Sequence, residues 1–239
     1  MRGWFPLVAS MLFGCQGEFG SDFVWGSATA GFQVDMGCPT LSDAECVDTN
    51  SDWYQFVTTP ENIDNSALHI AGDPISIGPG MWETFEEDVE RMSSDGLTGY
   101  RMSLEWSRIF PDGAAEQATT VEELATYANA DAVKRYREMF TALNDAKIHP
   151  MVTLNHYTLP LWVHDGNACR PDPMSCEASG WVNRERIVRL IGLYSEYCAL
   201  TFGDQIDDWM TLNVFPPSCV NKFFTFSSTN IAGCLLLDV

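Results

Sequence analysis

The sequence predicts an α/β fold in which parallel strands alternate with helices. Two observations carry this prediction: short apolar runs alternate with stretches of helical periodicity, and long polar segments follow the first three runs. Of the 239 residues, 46% are hydrophobic and 19% are charged. That balance is ordinary for a globular protein and too apolar for a disordered one, and the length suits one large domain or two small ones.

The first predicted elements are a short strand, a helix and a second strand. Residues 23–26 form an apolar run typical of a strand, and residues 97–104 form another. Between them, a helix is predicted over about residues 81–94, and Gly96 follows it as a helix stop. The apolar residues of this helix fall on one face and its acidic residues on the rest. The apolar residues are Trp82, Phe85, Val89 and Met92.

The same alternation continues along the chain. Apolar residues at helical spacing mark helices near residues 133–143 and 187–198, while residues 148–155 and 209–213 are the third and fourth predicted strands. Four strands that alternate with three helices are typical of βαβ units and a parallel sheet. Periodicity does not separate a barrel from a doubly wound open sheet, so both architectures stay open at this point.

The segments that follow the predicted strands are unusually long. The one after the first strand covers about fifty residues and is rich in Asp, Asn, Ser and Pro. Barrel enzymes and open α/β sheets both build their sites from loops at the C-terminal ends of parallel strands. We therefore expect the functional residues at these strand ends.

The charge of the chain bears on its partners. It carries 13 basic and 33 acidic residues, for a formal net charge of −20. Such a surface repels phosphate backbones, so we expect no nucleic-acid partner. Docking on anionic lipid through a basic patch is disfavoured for the same reason.

Residues 1–15 are predicted to be a signal peptide. Arg2 supplies a positive start, and residues 4–13 form an apolar stretch far shorter than the roughly 20 residues of a transmembrane helix. Residues 12–15 (LFGC) resemble a bacterial lipobox, in which Cys15 would carry a lipid anchor. The alternatives are a plain signal peptide or a disordered start with an incidental cysteine. We expect an exported protein, either periplasmic, membrane-anchored or secreted.

Cysteine usage supports export. Cys38 and Cys46 bracket one polar loop and Cys169 and Cys176 another, so each pair could close its own loop with a disulfide in an oxidising compartment. A zinc site is the weaker alternative, because neither pair has CxxC spacing and no His lies at ligand spacing beside them. Cys198 falls in an apolar helical pattern and is predicted to be a core residue.

Four blocks of the sequence resemble glycoside hydrolase family 1, and they occur in family order. The blocks are residues 23–35 (FVWGSATAGFQVD), 100–111 (YRMSLEWSRIFP), 153–162 (TLNHYTLPLW) and 208–213 (DWMTLN). The resemblance implies a (β/α)8 barrel that hydrolyses β-linked glycosides with retention and needs no metal or organic cofactor. Residues 16–213 are then expected to form the N-terminal half of this barrel, with about the first four strands.

The resemblance also implies roles for individual residues. Gln33, His156 and Asn213 match family residues that hydrogen-bond the sugar, and Arg101 matches the arginine beside the catalytic nucleophile. The third-strand block resembles archaeal-type members, so the expected substrate is a β-linked glucoside or galactoside.

The chemistry of these residue types agrees with a sugar site. The amides of Gln33 and Asn213 both donate and accept, so each can clamp two neighbouring hydroxyls, and His156 can donate from one ring nitrogen. Arg101 at a strand end could keep a carboxylate ionised by lowering its pKa. Taken singly, each residue also suits an ordinary surface or structural role, and only the four blocks favour the functional interpretation.

Four other residues in these blocks bear on specificity. Tyr157 stands where many family members carry Trp, and Asp35 where most carry Glu, and both differences could alter substrate preference. Trp106 and Trp162 are candidates for a wall on which a sugar stacks; the alternative is that they are buried core residues.

Both catalytic carboxylates of the family are expected to be missing. Retention needs two carboxyl groups about 5–5.5 Å apart, and the family's acid/base directly follows the fourth-strand asparagine, where this chain has Val214. The family nucleophile ends the seventh strand, beyond the residues of this chain. Glu105 is expected to order the site, or to pair with Arg101 or Arg108, rather than to replace the acid.

Residues 214–239 match nothing in the family and show no amphipathic pattern. A frameshift, a misread splice boundary or a gene fragment explains this unrelated tail. The alternative is a sugar-binding pseudo-enzyme with a new C-terminus. We expect the chain to be inactive in either case. Because a closed barrel needs eight strands, the first and fourth strands would be open edges that favour self-association.

Overall fold

The computed structural model describes residues 19–213, in which four parallel strands form one sheet. The strands lie in the order β1-β2-β3-β4. Their bounds are β1 Gly26–Ala28, β2 Gly99–Ser103, β3 His149–Asn155 and β4 Asp208–Leu212. The predicted signal peptide with Cys15, Val214 and the predicted unrelated tail lie outside the described residues.

Helices connect each strand to the next strand of the sheet. The long connecting helices are α5 (Met81–Ser94), α8 (Ala130–Asp145) and α10 (Arg184–Phe202). The shorter ones are α1 (Gly31–Asp35), α2 (Asp43–Cys46), α3 (Asp52–Thr58), α4 (Pro60–Ile63), α6 (Trp106–Ile109), α7 (Val121–Ala125) and α9 (Gly166–Cys169). Single 3₁₀ turns occupy Ile75–Ile77, Gly113–Gln117 and Gly180–Val182.

Local chemistry explains where the long helices begin and end. The Asn129 side chain accepts hydrogen bonds from two backbone amides at the start of α8, and the Asn183 side chain accepts one at the start of α10. After α5, Gly96 adopts a left-handed φ of 76°, as the sequence predicts for a helix stop.

The first strand is the one element that the sequence misplaces. Strand pairing covers Gly26–Ala28 rather than residues 23–26, because Thr98 and Gly99 donate to the backbone oxygen of Trp25 just before the ladder begins. Phe23 and Trp25 are 45% and 51% exposed and pack edge to face. Their apolar run therefore marks an exposed aromatic cluster rather than a buried strand. The other three predicted strands lie within two residues of their observed bounds.

The core lies between the sheet and α5, α8 and α10. Its largest fully buried side chains include Phe85 from α5, Tyr136 and Phe140 from α8, and Tyr194 and Phe202 from α10. Cys198, also on α10, is buried among them, which confirms its prediction as a core residue. These helices fix the sheet so that all four strands present their C-terminal ends at one edge.

The long loop after β1 is ordered by short helices and by a disulfide. It contains α1 to α4, and Cys38 pairs with Cys46 within it. In the loop after β3, Cys169 pairs with Cys176. Both pairings agree with the sequence prediction. Over residues 19–213, no helix is long and apolar enough to cross a membrane.

Candidate active site

The C-terminal ends of the four strands bring the predicted site residues to one face. Gln33 follows β1 on α1, Glu105 follows β2, His156 follows β3 and Asn213 follows β4. This arrangement follows directly from the parallel order of the strands, since the C-terminal ends of all four strands lie on the same side of the sheet.

Arg101 and Asn213 are in direct contact. The Nη1 atom of Arg101, on β2, donates to the Oδ1 atom of Asn213 at 2.8 Å. The backbone amide of Asn213 donates to the backbone oxygen of Asn155 at 3.1 Å, which fixes the asparagine at the end of the ladder. Both side chains are half-buried. The resemblance gives these two residues separate roles, whereas the structure joins them in one hydrogen bond across three strands.

His156 lies beside this pair, and its ring makes no hydrogen bond within the described residues. It is 7% exposed, and its buried Nδ1 atom has no hydrogen-bond partner among the described residues. Burial, followed by the positive charge of Arg101, lowers the pKa of His156. The ring is therefore a neutral imidazole near pH 7, with one nitrogen that donates and one that accepts.

Gln33 is exposed and borders a separate part of the face. It lines a cleft of about 590 Å³ together with Phe32, Met36 and Trp53. No hydrogen bond within the described residues joins Gln33 to Arg101, His156 or Asn213. A row of aromatic rings links the two regions instead.

That aromatic row includes a residue that the sequence analysis missed. Trp53, on α3, meets Phe32 edge to face at 6.0 Å and stacks on Tyr157 at 5.5 Å with an interplanar angle of 13°. Tyr157 in turn lies 4.9 Å from the His156 ring. Tyr157 has a φ of 76°, which is rare for a large side chain and is typical of a functional constraint. Trp53 lies outside the four blocks. The one sequence feature that could have pointed to it is its position, as a tryptophan within a long polar loop.

Glu105 does not make the ion pairs expected for it. It is fully buried, and its carboxyl group contacts the hydroxyls of Ser103 and Thr158 rather than Arg101 or Arg108. Arg108 instead pairs with Asp35, with 3.3 Å between Nε and Oδ2. The expectation of pairing was wrong because the loop after β1 inserts Asp35 against Arg108.

Of the two tryptophans that were candidates for sugar stacking, Trp106 lies in the core and Trp162 packs at its margin. Trp106 is 2% exposed and stacks on Tyr194 of α10 at 4.5 Å, so it presents no face to a cleft. Trp162 is half-buried, and its indole N–H donates to the backbone oxygen of Phe110 at 2.8 Å. Trp162 also meets Trp106 edge to face. The alternative interpretation, buried core residues, is correct for Trp106 and nearly so for Trp162.

A second missed feature ties the two long loops together. The Oδ2 atom of Asp52 lies 2.7 Å from Nδ1 of His164, and Oδ1 of Asp52 accepts from the backbone amide of Leu159 at 2.9 Å. The hydrogen bond with Asp52 raises the pKa of His164. This connection holds Trp53, the next residue, in place beside Tyr157.

We also searched the described part of the chain for side chains that could hold a metal ion. No group of three or more His, Cys, Asp or Glu side chains among residues 19–213 is arranged to hold a metal ion.

Known proteins resemble this chain over most of its length. The model of the family described as Glycosyl hydrolase family 1 matches residues 15–229. The β-galactosidase of Saccharolobus solfataricus is 35% identical over 215 residues, and that of Pyrococcus woesei is 33% identical over 214. Each match covers 82% of this chain, which spans 42% and 41% of the respective relatives.

Solved structures give the same picture. The β-glycosidase from Thermosphaera aggregans is 30% identical, with a TM-score of 0.75, over 83% of this chain and 44% of the other. A family 1 β-glucosidase from Thermotoga maritima is 28% identical, with a TM-score of 0.60, over 82% of this chain and 36% of the other.

Proposed function

The chain belongs to glycosyl hydrolase family 1, and from that premise we propose that it supplies the sugar-binding residues of a retaining β-glycosidase. Its four strands are the first part of the family's (β/α)8 barrel. The proposed substrates are β-linked glucosides and galactosides. The curated relatives with the names β-galactosidase and β-glucosidase support both sugars.

One observation carries the proposal. The contact between Arg101 and Asn213 lies beside the unpartnered Nδ1 atom of His156, at the C-terminal edge of the sheet. The His156 ring makes no hydrogen bond within the described residues, so its hydrogen-bonding capacity is free for a ligand that enters the site. A sugar hydroxyl would satisfy His156, and the remaining lone pair and amide hydrogens of Asn213 would bind a second hydroxyl.

Gln33 and the aromatic row would complete the cleft. Gln33 offers an exposed amide to the ligand, and the stacked pair of Trp53 and Tyr157 offers apolar ring surface to the C–H face of a pyranose. Arg101 would hold a neighbouring carboxylate in its ionised form, which is what a catalytic nucleophile requires.

We propose that this chain by itself is catalytically inert. Val214 follows Asn213 directly, at the position where the family resemblance puts the acid/base glutamate, and valine neither donates nor accepts a proton. Glu105 is fully buried and its oxygens already contact hydroxyl groups, so it is poorly placed to protonate a leaving group. A sugar-binding protein without turnover is therefore the second candidate function.

Calorimetry with glucose and galactose, beside an aryl β-glycoside assay, tests both proposals. We expect sugar binding without turnover above a blank. His156→Ala should weaken binding about tenfold, because one hydrogen bond to the sugar is lost. His149→Ala is the matched control, since His149 begins β3, the strand that His156 follows, and pairs with Asp208. Absence of binding would contradict the first proposal, and measurable turnover would contradict inertness.

We further propose export and self-association. Two disulfides support an oxidising compartment, and Cys15 would be the lipid-anchored residue if residues 12–15 act as a lipobox. Within the described residues, β1 and β4 each have one unpaired edge, and such edges favour pairing with another chain.

A further inference from the structure

Glu105 is a buried acid that the proposed function does not use, and it contacts three separate elements. It follows β2 and is 0% exposed. Its Oε2 atom lies 2.5 Å from the hydroxyl of Thr158, in the loop after β3, and its Oε1 atom lies 3.4 Å from the hydroxyl of Ser103 on β2. It also fills the space beside Gly31, the first residue of α1, where a methyl group would overlap its carboxyl.

Two of these contacts lie two residues from a proposed sugar-binding side chain. Gly31 precedes Gln33 on α1, and Thr158 follows His156 in the loop after β3. The backbone amide of Gly31 donates to the Ser103 hydroxyl at 2.7 Å, so α1 is tied to β2 through the same hydroxyl that faces Glu105. One side chain therefore connects the two segments that carry Gln33 and His156.

The charged groups around Glu105 favour a neutral carboxyl. Asp35 and Asp48 face it from the loop after β1, and both are buried. The nearest guanidinium is that of Arg108, which is paired with Asp35 and hydrogen-bonded to the backbone oxygen of Cys46. An ionised Glu105 would thus lie beside two other buried acids and a single buried cation, which is costly.

The titration behaviour agrees with this geometry. Burial, followed by the negative charge of Asp35, raises the pKa of Glu105 well above its ordinary value, although the Thr158 hydroxyl and Arg108 act in the opposite direction. A carboxyl group that keeps its proton can donate to Thr158 while it accepts from Ser103.

We propose that Glu105 is a positioning residue that, as a neutral carboxylic acid, holds the segments of Gln33 and His156 in the geometry that binds sugar. The inference rests on the proposed function for its ligand, but the connection between the two segments does not. Glu105 itself does not touch the sugar.

Two substitutions separate the neutral hydrogen-bonding role from simple space filling. Glu105→Gln keeps the shape, stays neutral at every pH, and can donate to Thr158 and accept from Ser103. Glu105→Met keeps an unbranched side chain but loses both hydrogen bonds. Leu143→Ala is the control for general destabilisation, because Leu143 is fully buried on α8 and has no part in the cluster.

Hydrogen exchange of peptides covering residues 29–36 and 155–160, followed by mass spectrometry from pH 5 to pH 9, provides a readout that needs no ligand. We expect Glu105→Met to speed exchange in both peptides about tenfold, and Glu105→Gln to match the wild type at pH 5 within about twofold. As pH rises, exchange in the wild type should accelerate in both peptides beyond the chemical trend, whereas Glu105→Gln should show a smaller pH effect. Calorimetry should find glucose affinity about tenfold weaker in Glu105→Met.

Several results would overturn the inference. One is unchanged exchange in Glu105→Met, or a change that Leu143→Ala reproduces in both peptides. Another is a Glu105→Gln variant that behaves like Glu105→Met, because the neutral side chain would then be insufficient. If the wild type binds no glucose, the proposed function fails, and the exchange data still decide the role of Glu105.

Discussion

At the scale of single residues, three buried acids lie close to the candidate site. Asp35, Asp48 and Glu105 are each at most 3% exposed, with Arg108 as the buried cation among them. Asp35 pairs with Arg108, and Asp48 accepts from the Ser107 hydroxyl at 2.5 Å. Buried ionisable acids of this kind lower the free energy of unfolding. Because they titrate, the loss depends on pH.

Asp35 should make the protein less stable as pH rises. Burial raises the pKa of Asp35 to about 7, against the opposing effect of Arg108. Its stabilising contribution is complete below about pH 4 and is lost as pH rises through about 7, because the unfolded chain releases the proton first. Asp35→Asn should remove up to about 1.4 kcal/mol per pH unit of this fall. Urea unfolding at several pH values measures it, with Asp145→Asn, an exposed acid, as the control. An unchanged slope would contradict the prediction.

At the scale of elements, the site depends on two long loops that contact each other directly. The loop after β1 contacts the loop after β3 through Asp52, which bonds both His164 and the backbone of Leu159. Each loop also has its own disulfide. The rings of Trp53 and Tyr157 are stacked between these two connections.

The disulfides should contribute to the stability of these loops. Cys38 and Cys46 are separated by 8 residues, and closing a loop of this size stabilises a fold by about 2–3 kcal/mol in the chain-entropy model. Replacing both cysteines by serine should lower the free energy of unfolding by that amount. The same change at Cys169 and Cys176, separated by 7 residues, is the comparison. Thermal unfolding with and without reductant measures the loss, and a stability that ignores both changes would refute the prediction.

At the scale of the whole molecule, the sheet is open at both edges in the described residues. Within these residues, β1 pairs only with β2, and β4 pairs only with β3. The chain spans about two fifths of the length of the curated relatives that it matches. Open parallel edges leave backbone donors and acceptors free for another chain.

The purified chain should therefore associate. Sedimentation velocity over a concentration series should detect species heavier than the 26.6 kDa monomer, in a fraction that grows with concentration. A single monomeric species throughout the series, with a sharp thermal transition, would rule this out.

The sequence predicted most of the fold because the long elements have strong local signals. The face of α5 that carries Phe85 and Val89 is apolar, Gly96 ends that helix, and the strands that follow β1 are short, mostly apolar runs. The four family blocks placed Gln33, His156 and Asn213 at strand ends, where the structure also has them. Only β1 was misplaced, since an exposed aromatic cluster and a buried strand have the same local composition.

What the sequence determined by itself is the order of the elements, the family and the residue types at the strand ends, because these are written in local patterns. Which side chains meet depends on how segments distant in the sequence pack together. The Arg101–Asn213 bond spans 112 positions, and the links of Asp52 to His164 and of Glu105 to Thr158 span 112 and 53. Such partners share no local pattern, since each contact depends on how the parallel strands and their loops pack together.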